Sequence, residues 1–161
     1  MQKVAFKNSE IAAEGTMLFR FSKPAGFEYR AGQSIDLTLP SGLMHPYTLV
    51  SAPHEDWIGV ATRMRDSEFK KELGALEPRT EVEIDGPFGS FFLHEAVSRP
   101  AVFLAGGIGV TPFYSMLKDA AERQLPHTIY MVYGNRSLND APFVSELDAL
   151  AFENPHFKIK H

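Results

Sequence analysis

Two patterns of hydrophobic and polar positions divide the chain. Up to residue 97 apolar positions alternate with polar ones, and in SIDLTLP the side chains of Ile35, Leu37 and Leu39 fall on one face. A period of two is typical of a half-buried strand. EVEID repeats the period, and the further strand candidates, bounded by turn signals, are TMLFRFS, YTLVSA and WIGVATRM. About six short strands predict a small antiparallel barrel.

One short helix interrupts these strands. In SEFKKELGAL, Ser67 stands where an N-cap belongs, and Phe69, Leu73 and Leu76 recur at helical spacing. The sequence therefore predicts an amphipathic helix that begins just after Ser67.

After the barrel the pattern changes to alternating strands and helices. The strand candidates are AVFLA, HTIYMVYG and FKIK, and between them stand the helix candidates TPFYSMLKDAAER and APFVSELDALAF. Thr111 is predicted to cap the first helix, with Pro112 at its first position, and Asp140 to lie near the cap of the second. A βαβαβ order predicts a parallel sheet, one mononucleotide-binding half of a doubly wound fold. We expect a barrel domain over 1–97 and an α/β domain over 98–161.

Composition and charge exclude several classes of protein. The 161 residues are 44% hydrophobic and 22% charged, with a formal net charge of −4. No basic run stands out, which argues against a nucleic-acid partner, and no apolar run reaches membrane-spanning length. We expect a cytoplasmic protein with no membrane partner. Because there is no cysteine, none of these residues forms a disulfide or holds an iron–sulfur cluster through a thiolate. The six histidines show no metal-site spacing, so no metal is expected.

A glycine-rich turn joins AVFLA to the helix after it. Gly106, Gly107 and Gly109 let backbone N–H groups approach an anion, and the helix N-terminus adds partial positive charge. The spacing is not G-x-G-x-x-G, and a tight packing turn would use the same glycines. From these residues alone, phosphate binding and a purely structural turn both remain open.

Five stretches, in order along the chain, resemble the motifs of one family. They are FEYRAGQSIDLTLP, HPYTLVSAP, EIDGPFGSF, AGGIGVTP and YGNRSLNDAPFVSELDAL. Together they resemble the ferredoxin–NADP⁺ reductase family of flavoproteins from about residue 4 to residue 161. The resemblance implies a six-stranded antiparallel Greek-key barrel that binds flavin, followed by a partial Rossmann-like βαβαβ domain that binds NAD(P)H.

The resemblance assigns roles in the flavin segment, His45-Pro46-Tyr47-Thr48. Tyr47 is expected to stack on the isoalloxazine, and Thr48, the one catalytic candidate, to hydrogen-bond near flavin N5. His45 stands where the family usually has Arg, and a mostly neutral imidazole cannot reproduce a charged bidentate fork. Without the resemblance, the high β-propensity of Tyr47 and Thr48 favours ordinary strand residues.

Other residues are expected to support the flavin and its phosphates. They are Arg63, Arg65, Ser67, Gly86 and Gly89. Met64 stands where the family often has a glycine, so the match to its phosphate segment is partial. The two arginines equally suit a solvated strand face, and the two glycines a simple exit turn from the last barrel strand.

On the nucleotide side, the resemblance implies contacts from the glycine turn and from the end of the next strand. The candidates are Gly106, Gly107, Gly109, Thr111, Pro112, Tyr133, Gly134, Asn135 and Arg136. FAD is expected rather than FMN, and the choice between NADH and NADPH stays open. The family's nucleotide domain usually continues for about another half-domain, so we expect a truncated chain or a short family member. The unpaired edge of AVFLA then favours self-association.

The leading prediction is a flavin-dependent oxidoreductase in which hydride passes from NAD(P)H to FAD and electrons pass on to a separate protein or small-molecule acceptor. The alternative is a flavin-binding or subunit-interaction module without catalysis. A plain barrel without a cofactor is a third possibility.

Overall fold

The structure of the protein, a computed structural model, describes residues 1–161. Its nine strands are Gln2–Ala13 (β1), Thr16–Ser22 (β2), Ser34–Thr38 (β3), Met44–Thr48 (β4), Trp57–Arg63 (β5), Glu81–Phe88 (β6), Ala101–Gly106 (β7), Ile129–Gly134 (β8) and Phe157–Lys160 (β9). Its three α-helices are Glu68–Gly74 (α1), Thr111–Glu122 (α2) and Val144–Glu153 (α3). Short 3₁₀ turns occupy Gly107–Val110 and Leu138–Asp140.

The first six strands form one antiparallel sheet in the order β4-β3-β6-β1-β2-β5. Their inward side chains make a core of their own, in which Phe19, Phe21, Ile35 and Leu37 are completely shielded from solvent. The predicted fold class, an antiparallel barrel followed by a partial parallel α/β unit, is confirmed.

Two barrel segments differ from the expectation. Strand β1 carries no regular alternation, because it pairs first with β6 and then with β2, with register shifts, and only Val4 and Phe6 are buried. The strand expected at YTLVSA begins earlier and ends at Thr48. The chain then turns a corner, since the Leu49 N–H donates to the Gln33 carbonyl on one side and the Val50 N–H to the Gly59 carbonyl on the other.

Helix α1 forms as predicted. The Ser67 hydroxyl accepts a hydrogen bond from the Lys70 backbone N–H, and Phe69 and Leu73 are buried against the barrel core. A capped N-terminus and one apolar face are the usual reasons for so short a helix to form.

Strands β7, β8 and β9 form the parallel sheet, and α2 and α3 pack on one of its faces. One predicted cap in this half is wrong. Thr111 is the buried first residue of α2 and Val110 is its N-cap, because the preceding residues already form a 3₁₀ turn. Asp140 ends the second 3₁₀ turn, and α3 starts after Phe143, which adopts a left-handed conformation (φ 60°).

The two halves share a continuous apolar core. Val50 and Ala61 of the barrel pack in one cluster with Val110 and Met116. A hydrogen bond from the Ser115 hydroxyl to the Ser51 carbonyl also crosses the interface. Two ion pairs do the same, one between Lys118 and Glu55 and one between Arg63 and Asp140. None of the helices is long and apolar enough to cross a membrane.

Candidate functional site

The flavin segment forms β4, at one end of the barrel sheet. The side chains of His45 and Tyr47 lie on the same face of this strand, and their ring centroids are 5.9 Å apart. Phe69 of α1 packs against both, 5.1 Å from His45 and 5.9 Å from Tyr47. Through Phe69 the fold therefore brings the flavin segment beside the start of α1, where Ser67 lies. Pro46 is exposed on the opposite face of the strand.

The Tyr47 hydroxyl is an orphaned buried polar group. Its oxygen is shielded from solvent and has no hydrogen-bond partner. Burial raises the pKa of the Tyr47 phenol, and the neighbouring Thr62 side chain opposes part of that shift. An unpaired buried hydroxyl is costly, so this one fits a position that a bound molecule completes.

The cations around this segment differ in availability. His45 and Arg65 are exposed, whereas Arg63 is engaged with Asp140 at 3.4 Å. Sequence reasoning missed Lys70, whose ammonium group bonds the Arg63 carbonyl. Burial, and to a smaller extent the charge of Arg65, lowers the pKa of Lys70. The sequence signal that could have pointed to Lys70 is its position one helical turn after Ser67.

The last residues of β6 and the turn that follows them lie across β3 from Thr48. Ser34 of β3 pairs with Thr48 on one side and with Phe88 on the other. Packing explains the glycine at position 86, since a Cβ there would stand only 3.1 Å from the Ser34 carbonyl oxygen. Gly89 has open space where a Cβ would be, and its carbonyl accepts a hydrogen bond from the Gln33 side-chain amide at 3.0 Å. Gln33, to which the sequence assigned no role, thus positions this turn.

The glycine turn and the end of β8 meet at one edge of the parallel sheet. Gly106 pairs with Gly134 in the ladder. Gly107 (φ 50°) and Gly109 have no atom within 4 Å of the place that a Cβ would take. This open cradle fits a ligand that approaches the backbone closely. The glycines here are not explained by packing.

The side chain of Tyr133 supports the glycine turn through a hydrogen bond to its backbone. This side chain is buried, and its hydroxyl lies 3.1 Å from the Gly107 carbonyl oxygen and 3.0 Å from that of Pro142, so it can donate to either. The Asn135 side chain lies next to that hydroxyl, and its Oδ1 is buried without a hydrogen-bond partner. Asn135 therefore has a free acceptor near the cradle, while Gly134 and Arg136 are exposed.

Two clusters of candidate residues thus stand on opposite sides of the interface between the halves. Thr48 leads directly into Leu49–Ser51, and the Ser51 carbonyl is held by Ser115. Ser115 lies on α2, which begins where the glycine turn ends. Thr111 and Pro112 form the first turn of that helix, Thr111 buried and Pro112 half-buried. The fold therefore fixes the flavin segment relative to the glycine turn.

Comparison with known sequences identifies both halves. Residues 1–91 match the profile of an FAD-binding domain, and residues 103–161 match that of an oxidoreductase NAD-binding domain. The chain belongs to the ferredoxin–NADP⁺ reductase-like flavoprotein family. The predicted cofactors are confirmed: FAD, with NAD(P)H as the co-substrate.

The relatives of this reductase-like chain are longer than the chain itself. It is 29% identical to human dual oxidase 2 over 96% of its own length and 11% of that protein. It is also 29% identical to the reductase component 1 of terephthalate 1,2-dioxygenase from a Comamonas species, over 94% of this chain and 46% of that one.

Solved structures confirm the reductase-like fold. The ferredoxin–NADP⁺ reductase of Plasmodium falciparum superposes with a TM-score of 0.86 at 17% identity, covering 98% of this chain and 68% of that one. The Amycolatopsis cytochrome P450 reductase GcoB gives a TM-score of 0.85 at 23% identity, covering 98% of this chain and 50% of that one.

Proposed function

We propose that this chain takes electrons from NAD(P)H and passes them, through FAD, to an acceptor outside residues 1–161. The observation that carries the proposal is the fixed placement of the flavin segment against the glycine turn. The hydrogen bond from Ser115 to Ser51 and the shared core around Val50 and Val110 join the two sides. Electron transfer between two cofactors needs this kind of fixed orientation.

The bound FAD and the residues around it would contribute different chemistry. Bound FAD supplies the redox chemistry, because it accepts electrons in pairs and releases them singly or in pairs. Tyr47 offers a ring face and an unpaired hydroxyl, and Thr48 offers a hydroxyl beside the turn at Gly89. His45, Arg65 and Ser67 lie on the exposed side of this segment, where a phosphate would meet them.

The nucleotide is held mainly by backbone. Gly107 and Gly109 leave their main chain open to a ligand, and Asn135 contributes an unpaired Oδ1 acceptor. Tyr133 acts indirectly, because its hydroxyl donates a hydrogen bond to the Gly107 carbonyl.

The acceptor proposed for this chain is the oxygenase component of a multicomponent system. Two similar proteins are named as reductases of a dioxygenase and of a cytochrome P450. Since these residues include no cysteine, they hold no Cys-ligated iron–sulfur cluster between the flavin and that acceptor.

The test begins with the absorbance spectrum of the protein reconstituted with FAD and freed of excess flavin, followed by anaerobic NADH or NADPH. Bleaching of bound flavin supports the proposal. Bound flavin that stays oxidised would favour the non-catalytic binding module. A folded protein that retains no flavin would contradict the proposed use of His45 and Tyr47.

A matched pair of variants separates the two sites. Gly109→Val places a side chain in the open cradle, where an added Cβ has no protein atom within 4 Å. We expect unchanged flavin content and a rate of flavin reduction lower by about tenfold or more, equivalent to about 1.4 kcal/mol of lost interaction. The control is Ala25→Val, which also introduces a valine, two carbons larger than the residue it replaces, on an exposed barrel turn. Equal rates in the two variants would show that the glycine turn does not hold the nucleotide.

A further inference from the structure

A second cleft lies away from the cofactor residues. Its volume is about 590 Å³, and it is bounded by the segment Tyr29–Ala31, the connection between the two halves at 92–97, and the later turns of α2. None of the candidate flavin or nucleotide residues lines it. The glycine turn precedes the first residue of α2, whereas this cleft meets the same helix at Asp119 and Arg123.

Two histidines in this cleft have unsatisfied ring nitrogens. His127 is 5% exposed, and its Nε2 lies 2.8 Å from the His94 carbonyl oxygen. A carbonyl only accepts, so Nε2 carries the hydrogen and the Nδ1 of the neutral ring is a lone-pair acceptor. That Nδ1 is buried without a partner, and so are both ring nitrogens of His94. The Nδ1 of His127 therefore lacks a hydrogen-bond donor. In a neutral His94 ring, one nitrogen lacks a donor and the other lacks an acceptor.

The charged groups of the cleft already satisfy one another. Asp119 accepts from Arg123 at 3.1 Å, and Glu95 lies 3.6 Å from Arg30, whose guanidinium stacks over Phe92. With neutral histidines the lining carries no net charge, which disfavours an ionic ligand. No group of three or more metal-ligating side chains is arranged to hold a metal ion. An isolated pair of imidazoles is short of the usual coordination number.

The rest of the lining is apolar. Half of the lining residues are hydrophobic, including Leu93, Val97, Met116 and Leu125. A concave space of this volume, with hydrophobic side chains along half of its lining and a few converging polar groups, has the usual form of a small-molecule site. A hydroxyl group both donates and accepts, and so matches the needs of the two rings.

We propose that this cleft binds a small, neutral, mainly apolar molecule through a hydroxyl group held by His94 and His127. The site is separate from the flavin and nucleotide sites and lies where the connecting segment meets α2. A ligand there would contact both halves of the protein at once, since Tyr29 belongs to the barrel and Met116 to α2.

The test compares p-cresol with toluene, which has the same ring and methyl group but no hydroxyl. Each is titrated into the FAD-loaded protein while the histidine ring resonances are followed by NMR. We expect p-cresol to shift the His94 and His127 signals saturably and to bind about tenfold more tightly than toluene, the effect of one or two buried hydrogen bonds. The exposed His156 is the internal control and should not move.

The variant His127→Phe keeps a ring but removes both nitrogens, and should abolish the preference for p-cresol. If this variant does not fold, the comparison of the two probes on the unaltered protein still decides. The proposal is overturned if p-cresol shifts neither ring, if toluene binds as tightly, or if His156 moves as much as the cleft histidines.

Discussion

Tyr47 and Tyr133 occupy the same kind of place in the two halves of the molecule. Each is the second-last residue of a strand, β4 and β8 respectively, and each lies at a candidate cofactor site. Burial raises the pKa of both phenols. They differ in what the hydroxyl does, since Tyr47 has no partner and Tyr133 can donate to the carbonyls of Gly107 and Pro142.

This difference separates two ways to build a site. On the flavin side, the Tyr47 hydroxyl has no hydrogen-bond partner within the protein, so a bound ligand rather than the fold supplies one. On the nucleotide side it uses a side chain to hold backbone in place, and the open backbone of Gly107 and Gly109 faces the ligand. The same substitution should therefore destabilise the protein at Tyr133 but not at Tyr47, while at each site it weakens the binding of that site's own ligand.

The largest effect is expected for Tyr133→Phe. It removes the donor shared by two carbonyls, and an unsatisfied buried acceptor costs about 1–3 kcal/mol. We expect the free energy of unfolding to fall by about that amount in urea denaturation. The KM for NAD(P)H should rise, because Gly107 loses its support. Unaltered stability would show that solvent replaces the hydroxyl and that Tyr133 does not hold the turn.

The matching change, Tyr47→Phe, should weaken flavin binding without destabilising the protein. Since the hydroxyl is buried without a protein partner, its removal should leave the stability of the flavin-free protein unchanged or raise it by up to about 1–3 kcal/mol. The Kd for FAD should rise roughly fivefold to tenfold, the effect of one hydrogen bond. Flavin fluorescence measures the Kd, with Tyr130→Phe on the exposed sheet face as the control. A loss of stability as large as that of Tyr133→Phe would remove the contrast.

Much of the fold could be predicted because the pattern and the packing agree. Ile35, Leu37 and Leu39 alternate and are buried, and the strands and helices after residue 98 follow the predicted order. Strand β1 was not predicted, because it pairs with different strands along its length and local periodicity does not report pairing partners.

The sequence named candidate site residues but not what each of them contacts in the fold. The resemblance placed Tyr133 and Arg63 among cofactor residues. The tertiary structure buries the first under the glycine turn and pairs the second with Asp140. Both outcomes depend on residues distant in the chain, so no local motif reports them. Lys70 went unnoticed because one lysine on a helix is normally a solvated residue.

Alkaline pH offers a finer comparison of the two phenols. A phenol whose pKa is raised in the folded state keeps its proton while the unfolded chain loses it. Its stabilising share is therefore complete below about pH 10 and is lost as the pH rises further. Half a pH unit above that value the loss is about 0.8 kcal/mol for a phenol still fully protonated in the folded state.

Urea denaturation between pH 9 and pH 10.5 measures this loss. The slope should flatten in Tyr133→Phe and less so in Tyr47→Phe, because the pKa of Tyr47 is raised less. Equal slopes in all three proteins would indicate that Tyr47 and Tyr133 do not contribute to the loss of stability at alkaline pH.

The smallest effect is expected at His45, which is exposed beside Tyr47. His45→Arg gives this position a permanent charge and a bidentate donor set suited to a phosphate. Because the site is open to solvent, the gain should be modest, with the Kd for FAD falling about threefold. The control is His54→Arg, the same change at an exposed histidine before β5. The gain should shrink as salt is added, since exposed charges are screened. An equal improvement in both variants would reflect net charge alone, and His45 would then not face the flavin phosphates.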